Sequence, residues 1–339
     1  MYLSTTLLAA ATFLPSALAA ATFERSSKRG LVFVPSAKYP QDNQVWVENG
    51  SDLTWYYNYG ATPSATYNNR SQSEFEFVPM LWGAPSSTSD TAFLTGVQTL
   101  IKEGTNISHV LTFNEPDGTT STGGSNVDPT VAATTWIREV EPLRKLGVKT
   151  GAPAVTGSQG GFTWLSEFFS ACASQGTNCT ADFIPIHWYG NFEGLASHIG
   201  QVVGTYVSLL SFRSFLDLIM VANVVRNRYP NTSIWITEYA LNDASLSDSQ
   251  SFFNSSAQYF DRLDYVERYS YFGSFRSSVS NVGPNAAMLD QKGRLTDIGS
   301  WYLGGAATNN IPSASDAGRH GVNSLWAATV LAVVTFCIY

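Results

Sequence analysis

Two glutamates stand where apolar runs stop: Glu115 in "LTFNEPDG" (Leu111–Gly118) and Glu238 in "IWITEYA" (Ile234–Ala240). Proline and Asp-Gly are turn formers in their own right, so the first run must end here whatever Glu115 does. The second glutamate is harder to read as a mere stop. "IWIT" is apolar and β-branched, and a carboxylate directly behind it is costly unless it faces a polar cavity. Two carboxylates about 5 Å apart suit double-displacement cleavage of a glycosidic bond. One attacks the sugar, and the other, with a raised pKa, acts as acid and then as base.

That chemistry needs a scaffold that brings distant positions together. Eight apolar runs read as strands: "LVFVP" from Leu31, "WYYNYG" from Trp55, "FEFVPMLWG" from Phe75 and "HVLTFNEPD" from His109, then "KTGAPAV" from Lys149, "FIPIHWYG" from Phe183, "IWITEYA" from Ile234 and "YSYFGSF" from Tyr269. They are runs rather than clean alternations, as parallel strands buried on both faces require. Helical patterns lie between several of them. "DPTVAATTWIREVEPLRKLG" has Asp128 as N-cap, Pro129 at the first helical position and Gly147 as its end. "SDSQSFFNSSAQYFDRLDYVER" repeats its apolar residues near a 3.6-residue period.

Eight strands alternating with helices predict a single α/β domain, a (β/α)8 TIM barrel. A doubly wound open sheet is disfavoured, because no Gly-X-Gly-X-X-Gly follows the first strand. In such a barrel the C-terminal strand ends converge on one face. The fourth run ends Asn114-Glu115-Pro116-Asp117, the sixth His187-Trp188-Tyr189-Gly190 and the seventh Thr237-Glu238-Tyr239, which sets the two glutamates across the mouth. Aromatic residues near strand ends, Trp55, Tyr56, Tyr59, Trp82, Trp188, Tyr189 and Tyr239, offer faces on which pyranose rings stack. Among them Trp82, Trp188 and Tyr239 are the expected sugar contacts, with Asn58 as a polar contact.

The ordered set "KRGLVFV", "WYYNYG", "FVPMLWG", "LTFNEPD", "FIPIHWYG" and "IWITEYALND" resembles glycoside hydrolase family 128, secreted fungal β-1,3-glucanases, from about Arg29 to Leu303. The resemblance implies a retaining endo-β-1,3-glucanase acting on fungal wall glucan. Glu115 would then be the general acid/base and Glu238 the nucleophile, with Asn114 donating to the sugar 2-hydroxyl and His187 donating near the nucleophile. Two rivals stand beside it: a catalytically idle wall protein that binds β-glucan, and a hydrolase of another β-glycan.

The ends of the 339-residue chain carry their own signals. Residues 1–19 read as a secretory signal peptide, and residues 20–29 as a linker or propeptide in which Lys28-Arg29 could be a dibasic processing site. The catalytic domain is expected over 30–305. A linker over 306–324 holds a GPI attachment region near Ser313–Ala317, and 325–339 is an apolar tail removed on anchoring. Secretion to the cell surface or wall fits the six Asn-X-Ser/Thr sequons at Asn49, Asn69, Asn106, Asn178, Asn231 and Asn254. It also fits a Cys172–Cys179 disulfide, since the remaining cysteine, Cys337, leaves with the tail. Residues 203–225 look like an insertion, read as a retained intron translated in frame, because "HIGQV" joined to "VRNRYPNTSIW" restores an ordinary connection length.

Composition excludes other partners. Hydrophobic residues make up 44% and the formal charge is −7 without a basic run, which argues against nucleic acid. The four histidines are scattered, and neither His-Glu-X-X-His nor Gly-X-Ser-X-Gly occurs, so no metal and no cofactor is expected. The partner is β-1,3-glucan in the cell wall, met by a monomer that touches the membrane only through its anchor.

Overall fold

Strand interiors rich in Val, Ile, Phe, Trp and Tyr pair side by side in chain order. The computed structural model describes residues 25–48, 50–207 and 232–314. Within these, nine short strands occur: β1 (Gly30–Val32), β2 (Trp55–Tyr57), β3 (Glu76–Phe77), β4 (Met80–Leu81), β5 (His109–Asn114), β6 (Lys149–Ala154), β7 (Phe183–Tyr189), β8 (Ser233–Ala240) and β9 (Val266–Tyr271). They account for the eight expected runs, because Pro79, which has no N–H to donate, divides the third into β3 and β4. All neighbouring strands are parallel, in one ladder from β1 to β3 and a second from β4 to β9. Two links join the ladders. Met80 N donates to the carbonyl of Gly60 beyond β2, and Tyr269 N donates to Lys28 O beside the Arg29–Tyr269 bridge, which returns β9 to β1.

Helices alternate with the strands: α1 (Ala92–Lys102), α2 (Pro129–Glu139), α3 (Glu141–Arg144), α4 (Gln159–Ser174), α5 (Phe192–Val202), α6 (Leu246–Arg262) and α7 (Asp297–Tyr302). Asp128 caps α2 by accepting from Thr130 N and Val131 N, as its position before Pro129 predicts. The expected single helix to Gly147 divides at Val140, just before Pro142, whose ring cannot continue the hydrogen-bond ladder. In α6, Phe252, Phe253, Ala257 and Phe260 form the buried stripe.

Two apolar clusters separate inside from outside. Val32, Trp55, Tyr57, Val78, Met80, Leu111, Phe183 and Trp235, drawn from six of the eight runs, fill the barrel interior. A larger cluster, with Val110, Phe113, Ile184, Ile186, Ile234 and Ile236 against Trp136, Phe168, Ile199 and Phe260, fills the space between strands and helices. β6 adds no bulk to the interior: a Cβ on Gly151 would lie 2.6 Å from the Phe183 ring, so glycine is needed for that ring to fill the centre.

The floor of the barrel is aromatic and ionic. Phe183 stacks on Trp235 at 4.0 Å, and the Arg268 guanidinium lies 4.3 Å over Trp235. Glu76 accepts from Arg268 Nη2 at 2.6 Å and from Ser108 Oγ at 2.6 Å, and its Oε1 lies 3.0 Å from His109 Nδ1. Burial works against the Glu76 charge, but these partners outweigh it and lower its pKa from 4.5 to about 2.

The dibasic pair does not lie in a linker. Lys28 Nζ donates to the carbonyls of Phe260, Asp261 and Leu263 at the end of α6, while Arg29 is fully buried and bonds Asp52 and Tyr269. The fold therefore takes in residues before 30. Cys172, in α4, is bonded to Cys179, closing the loop after the helix. Asn69, Asn106 and Asn178 are exposed, whereas Asn254 lies half-buried in α6 with the Ser256 of its sequon fully buried. Asn49, Asn231, the residues assigned to signal peptide and tail, and most of the 203–225 segment lie outside the described residues. Of that segment, Val203–Val207 form a π-helical turn continuing α5.

Replacing both Cys172 and Cys179 by serine should cost about 2–3 kcal/mol and lower the melting temperature by about 3–5 °C, measured by calorimetry. Because Glu76 has a depressed folded-state pKa, its stabilisation is complete above pH 4.5 and is lost as pH falls towards about 2. Acid unfolding curves should show Glu76→Gln to be less stable than the parent at neutral pH, with the difference shrinking across that window.

Candidate active site

The strand ends meet around one histidine. Glu115 follows β5 with its backbone at φ +40°, a left-handed turn held by Glu115 N donating to Ala154 O and Gly118 N to Glu115 O. Asp117 ties this turn to the end of β6 by accepting from Thr156 N at 2.9 Å. A Cβ on Gly124 would lie 2.6 Å from Glu115 O, so only glycine lets the following loop fold back over the turn. His187 Nδ1 lies 2.9 Å from Glu115 Oε1 and 3.6 Å from Glu238 Oε2.

Glu238 reaches the mouth because β8 is bulged. Ile186 pairs with Ile236, but His187 pairs with Glu238, leaving Thr237 as the extra residue. Before the bulge Trp235 faces inward and Ile236 outward. One inserted residue resets the alternation, so Glu238 points inward beside His187 and Tyr239 points outward. The bulged carbonyl of Thr237 accepts from Tyr57 Oη at 3.0 Å and from Ser270 Oγ.

Glu238 is 4% exposed and sits among tyrosine hydroxyls. Its Oε1 accepts from Tyr59 at 2.7 Å and from Tyr57 at 3.3 Å, and its Oε2 accepts from Tyr189. Burial, reinforced by the Glu238 charge, pushes all three phenols well above 10, so they keep their protons and act as donors. For Glu238 itself burial is the largest influence and raises the pKa above 4.5, with Glu115 adding to the rise; His187, Tyr189 and Tyr59 pull the other way without cancelling it. Burial likewise disfavours charge on His187, yet Glu238, Glu115 and Asp117 outweigh it and raise its pKa above 6.5. Buried charges of both signs thus share the protons of one compact group.

One carboxylate oxygen each from Glu115 and Glu238, with one imidazole nitrogen, all lie within 4.8 Å of one another. Among the described residues this is the grouping whose donor atoms could close on a cation, but a cation would have to compete with hydroxyls already seated on both oxygens of Glu238.

Other expected contacts fall differently. Asn114 is 5% exposed; its Nδ2 donates to Gly123 O, and its Oδ1 accepts nothing among the described residues. His187 lies nearer to Glu115 than to the nucleophile candidate it was expected to serve. Trp82 caps the interior cluster at the mouth together with Tyr59 and Phe272. Trp188 faces the helices instead: it stacks on His198 at 5.3 Å and donates to Asn191 O. Tyr239 is no sugar contact, being fully buried against Phe252, Phe260, Tyr269 and Tyr271. Asn58 spends its amide on the turn after β2, accepting from Gly60 N and donating to Thr62 O. Tyr59 and Tyr189, expected from the sequence as sugar-facing aromatics with hydroxyls free to hydrogen-bond, instead donate to Glu238, joined by Tyr57, while Phe272 joins the rim; neither of these last two was expected from the sequence. The signal for Tyr57 was its i, i+2 spacing from Trp55, which places both on one strand face, whereas Tyr59 lies in the turn beyond β2 and is aimed by its left-handed backbone.

Comparison with known proteins agrees with this geometry. Residues 30–302 match the family model described as "Glycosyl hydrolase catalytic core". Alkali-sensitive linkage protein 1 of Schizosaccharomyces pombe is 31% identical over 287 residues, which cover 82% of this chain and 44% of that protein. The chain thus spans less than half the length of that relative. Among solved structures, a GH128 subgroup I endo-β-1,3-glucanase mutant from Amycolatopsis mediterranei in complex with laminarihexaose is 27% identical, with a TM-score of 0.54 over 83% of this chain and all of that one. A GH128 subgroup II endo-β-1,3-glucanase from Pseudomonas viridiflava shares the fold at 24% identity, with a TM-score of 0.59 over 84% of this chain and 99% of that one. The matched core, closed ring of strands and paired glutamates converge on one assignment: the chain belongs to the glycosyl hydrolase catalytic-core family.

Proposed function

We propose that the protein is an endo-β-1,3-glucanase that cleaves fungal wall glucan with retention of anomeric configuration. The observation that carries this reading is the approach of Glu115 and Glu238 to within 4.8 Å around His187. A separation of about 5 Å leaves no room for a water between carboxylate and sugar, as inversion would need, and suits direct attack. The laminarihexaose held by the Amycolatopsis relative supports β-1,3-glucan as the substrate class.

Glu238 attacks the anomeric carbon, and the glycosidic C–O bond breaks as Glu115 passes its proton to the leaving oxygen. Water, deprotonated by Glu115, then hydrolyses the glycosyl ester and returns both groups to their starting state. His187 Nδ1, 2.9 Å from Glu115 Oε1, holds that carboxyl group in place beside Glu238. Asn114 can accept a hydrogen bond from a sugar hydroxyl at its open Oδ1. Trp82, Tyr59 and Phe272 supply the aromatic rim, because their rings cover the interior cluster at the mouth.

Surface location belongs to the same reading. The leader-like residues 1–19, the GPI-signal-like tail 325–339 and the exposed sequons Asn69, Asn106 and Asn178 support a secreted, glycosylated, anchored wall enzyme.

Glu238→Ala should lower turnover of laminarin by more than about 10⁴-fold, and azide should restore a glycosyl azide of inverted configuration. Glu115→Ala should slow laminarin hydrolysis by about 10²–10⁴-fold while sparing activated aryl glycosides. Product chromatography and steady-state rates check both. A folded parent that binds laminarin but releases nothing would favour an idle glucan-binding protein instead.

A further inference from the structure

The turn after β2 carries a feature that the two-glutamate mechanism does not use. Tyr59 is one of the few non-glycine residues in the left-handed region, at φ +61°, a conformation that strains a bulky side chain. Asn58 holds that conformation from the preceding position, by accepting from Gly60 N and donating to Thr62 O. The result is a phenol that leaves the end of β2 and meets Oε1 of Glu238 at 2.7 Å. Two residues earlier, Tyr57 reaches across the interior to the Thr237 carbonyl at 3.0 Å, the bulge that turns Glu238 inward. Their rings pack edge to face, with centroids 5.2 Å apart. Backbone strain persists where the surroundings over-determine it, and here its product is one hydrogen bond to one carboxylate oxygen.

The two oxygens of Glu238 are therefore not equivalent. Oε1 faces β2 and accepts from Tyr59 and Tyr57. Oε2 lies on the side of His187, 3.6 Å from its Nδ1, and accepts from Tyr189. Glu115 is on that side as well, since its Oε1 shares the same imidazole nitrogen.

We propose that Tyr57 and Tyr59 are positioning residues for Glu238, Tyr57 pinning the bulge and Tyr59 turning Oε1 towards β2, so that Oε2, on the side of His187 and Glu115, is the oxygen that attacks. This rests on the hydrolase reading above. In the first step Oε2 forms the ester bond to the anomeric carbon, the glycosidic C–O bond breaks, and the proton on Glu115 goes to the leaving oxygen. Tyr59 keeps its proton throughout and holds the carboxylate plane fixed while charge leaves it. Without that donor the ionised form loses a partner, so ionisation of Glu238 moves to higher pH.

The test uses Tyr59→Phe and Tyr57→Phe in the full chain, with circular dichroism to verify folding. Two readings are taken: kcat and KM for laminarihexaose across pH, and an infrared titration of the Glu238 carboxylate, identified by the band missing in Glu238→Gln. For Tyr59→Phe we expect kcat to fall about 10- to 100-fold with KM changed less than about threefold. The acidic limb of kcat/KM and the infrared midpoint should both rise by about one pH unit. Tyr57→Phe should reduce kcat with a smaller shift of midpoint, because its main contact is the Thr237 carbonyl. An unchanged kcat and midpoint in both folded variants would overturn the inference while leaving the hydrolase reading intact. A parent without hydrolysis would sink that reading, and the infrared midpoint would still decide whether the tyrosines govern Glu238.

Discussion

A carboxylate with 4% exposure can stay charged only if the protein replaces the water it has lost. Glu238 is that carboxylate, and much of the barrel mouth is arranged around it. Phenols from β2 and β7 donate to its two oxygens, and His187 supplies a nearby imidazole. The β7 groups come from the strand paired with β8, whereas the β2 phenols belong to the other ladder and reach Glu238 only because the ring closes. The catalytic geometry and the closure of the barrel are one constraint seen at two scales.

The bulge at Thr237 connects the two. Regular alternation in β8 would send Glu238 outward among the helices, where Tyr239 now packs. One extra residue reverses this, at the cost of a locally broken ladder whose free carbonyl is met by Tyr57 and Ser270. Part of the stability is anchored at the opposite end of the barrel. The floor carries the Glu76, Arg268 and His109 group under Trp235, while the Arg276–Asp42 pair, with Arg276 3.6 Å over Tyr39, fastens loops following β1 and β9. Strain at Glu115 and Tyr59 is thereby confined to the mouth, supported by packing below it.

Much of this could be read from residues alone. Apolar runs located every strand, because buried parallel strands need apolar side chains on both faces. Glu115, His187 and Glu238 stood out because a charged or polar group at the end of such a run needs a reason. Errors came where parity or turn geometry decides the outcome. Tyr239 and Trp188 were expected in the cleft from nearness to the strand ends, but alternation sends both towards the helices. Counting could not have placed Glu238, since the bulge that reverses its direction depends on pairing with β7. Asn58 was chosen for its polarity, yet its amide is consumed in building the turn that aims Tyr59. Lys28-Arg29 looked like a linker because charge suggests exposure, whereas Arg29 is buried by its pairing with Asp52.

The central claim is that Glu238 attacks the sugar directly, and the anomeric form of the first product tests it most directly. Proton NMR of laminarihexaose hydrolysis, recorded before mutarotation, should show the β-anomer accumulating first and the α-anomer following only as the mixture equilibrates. Initial release of the α-anomer would mean a single displacement by water, and would contradict the role of Glu238 as nucleophile.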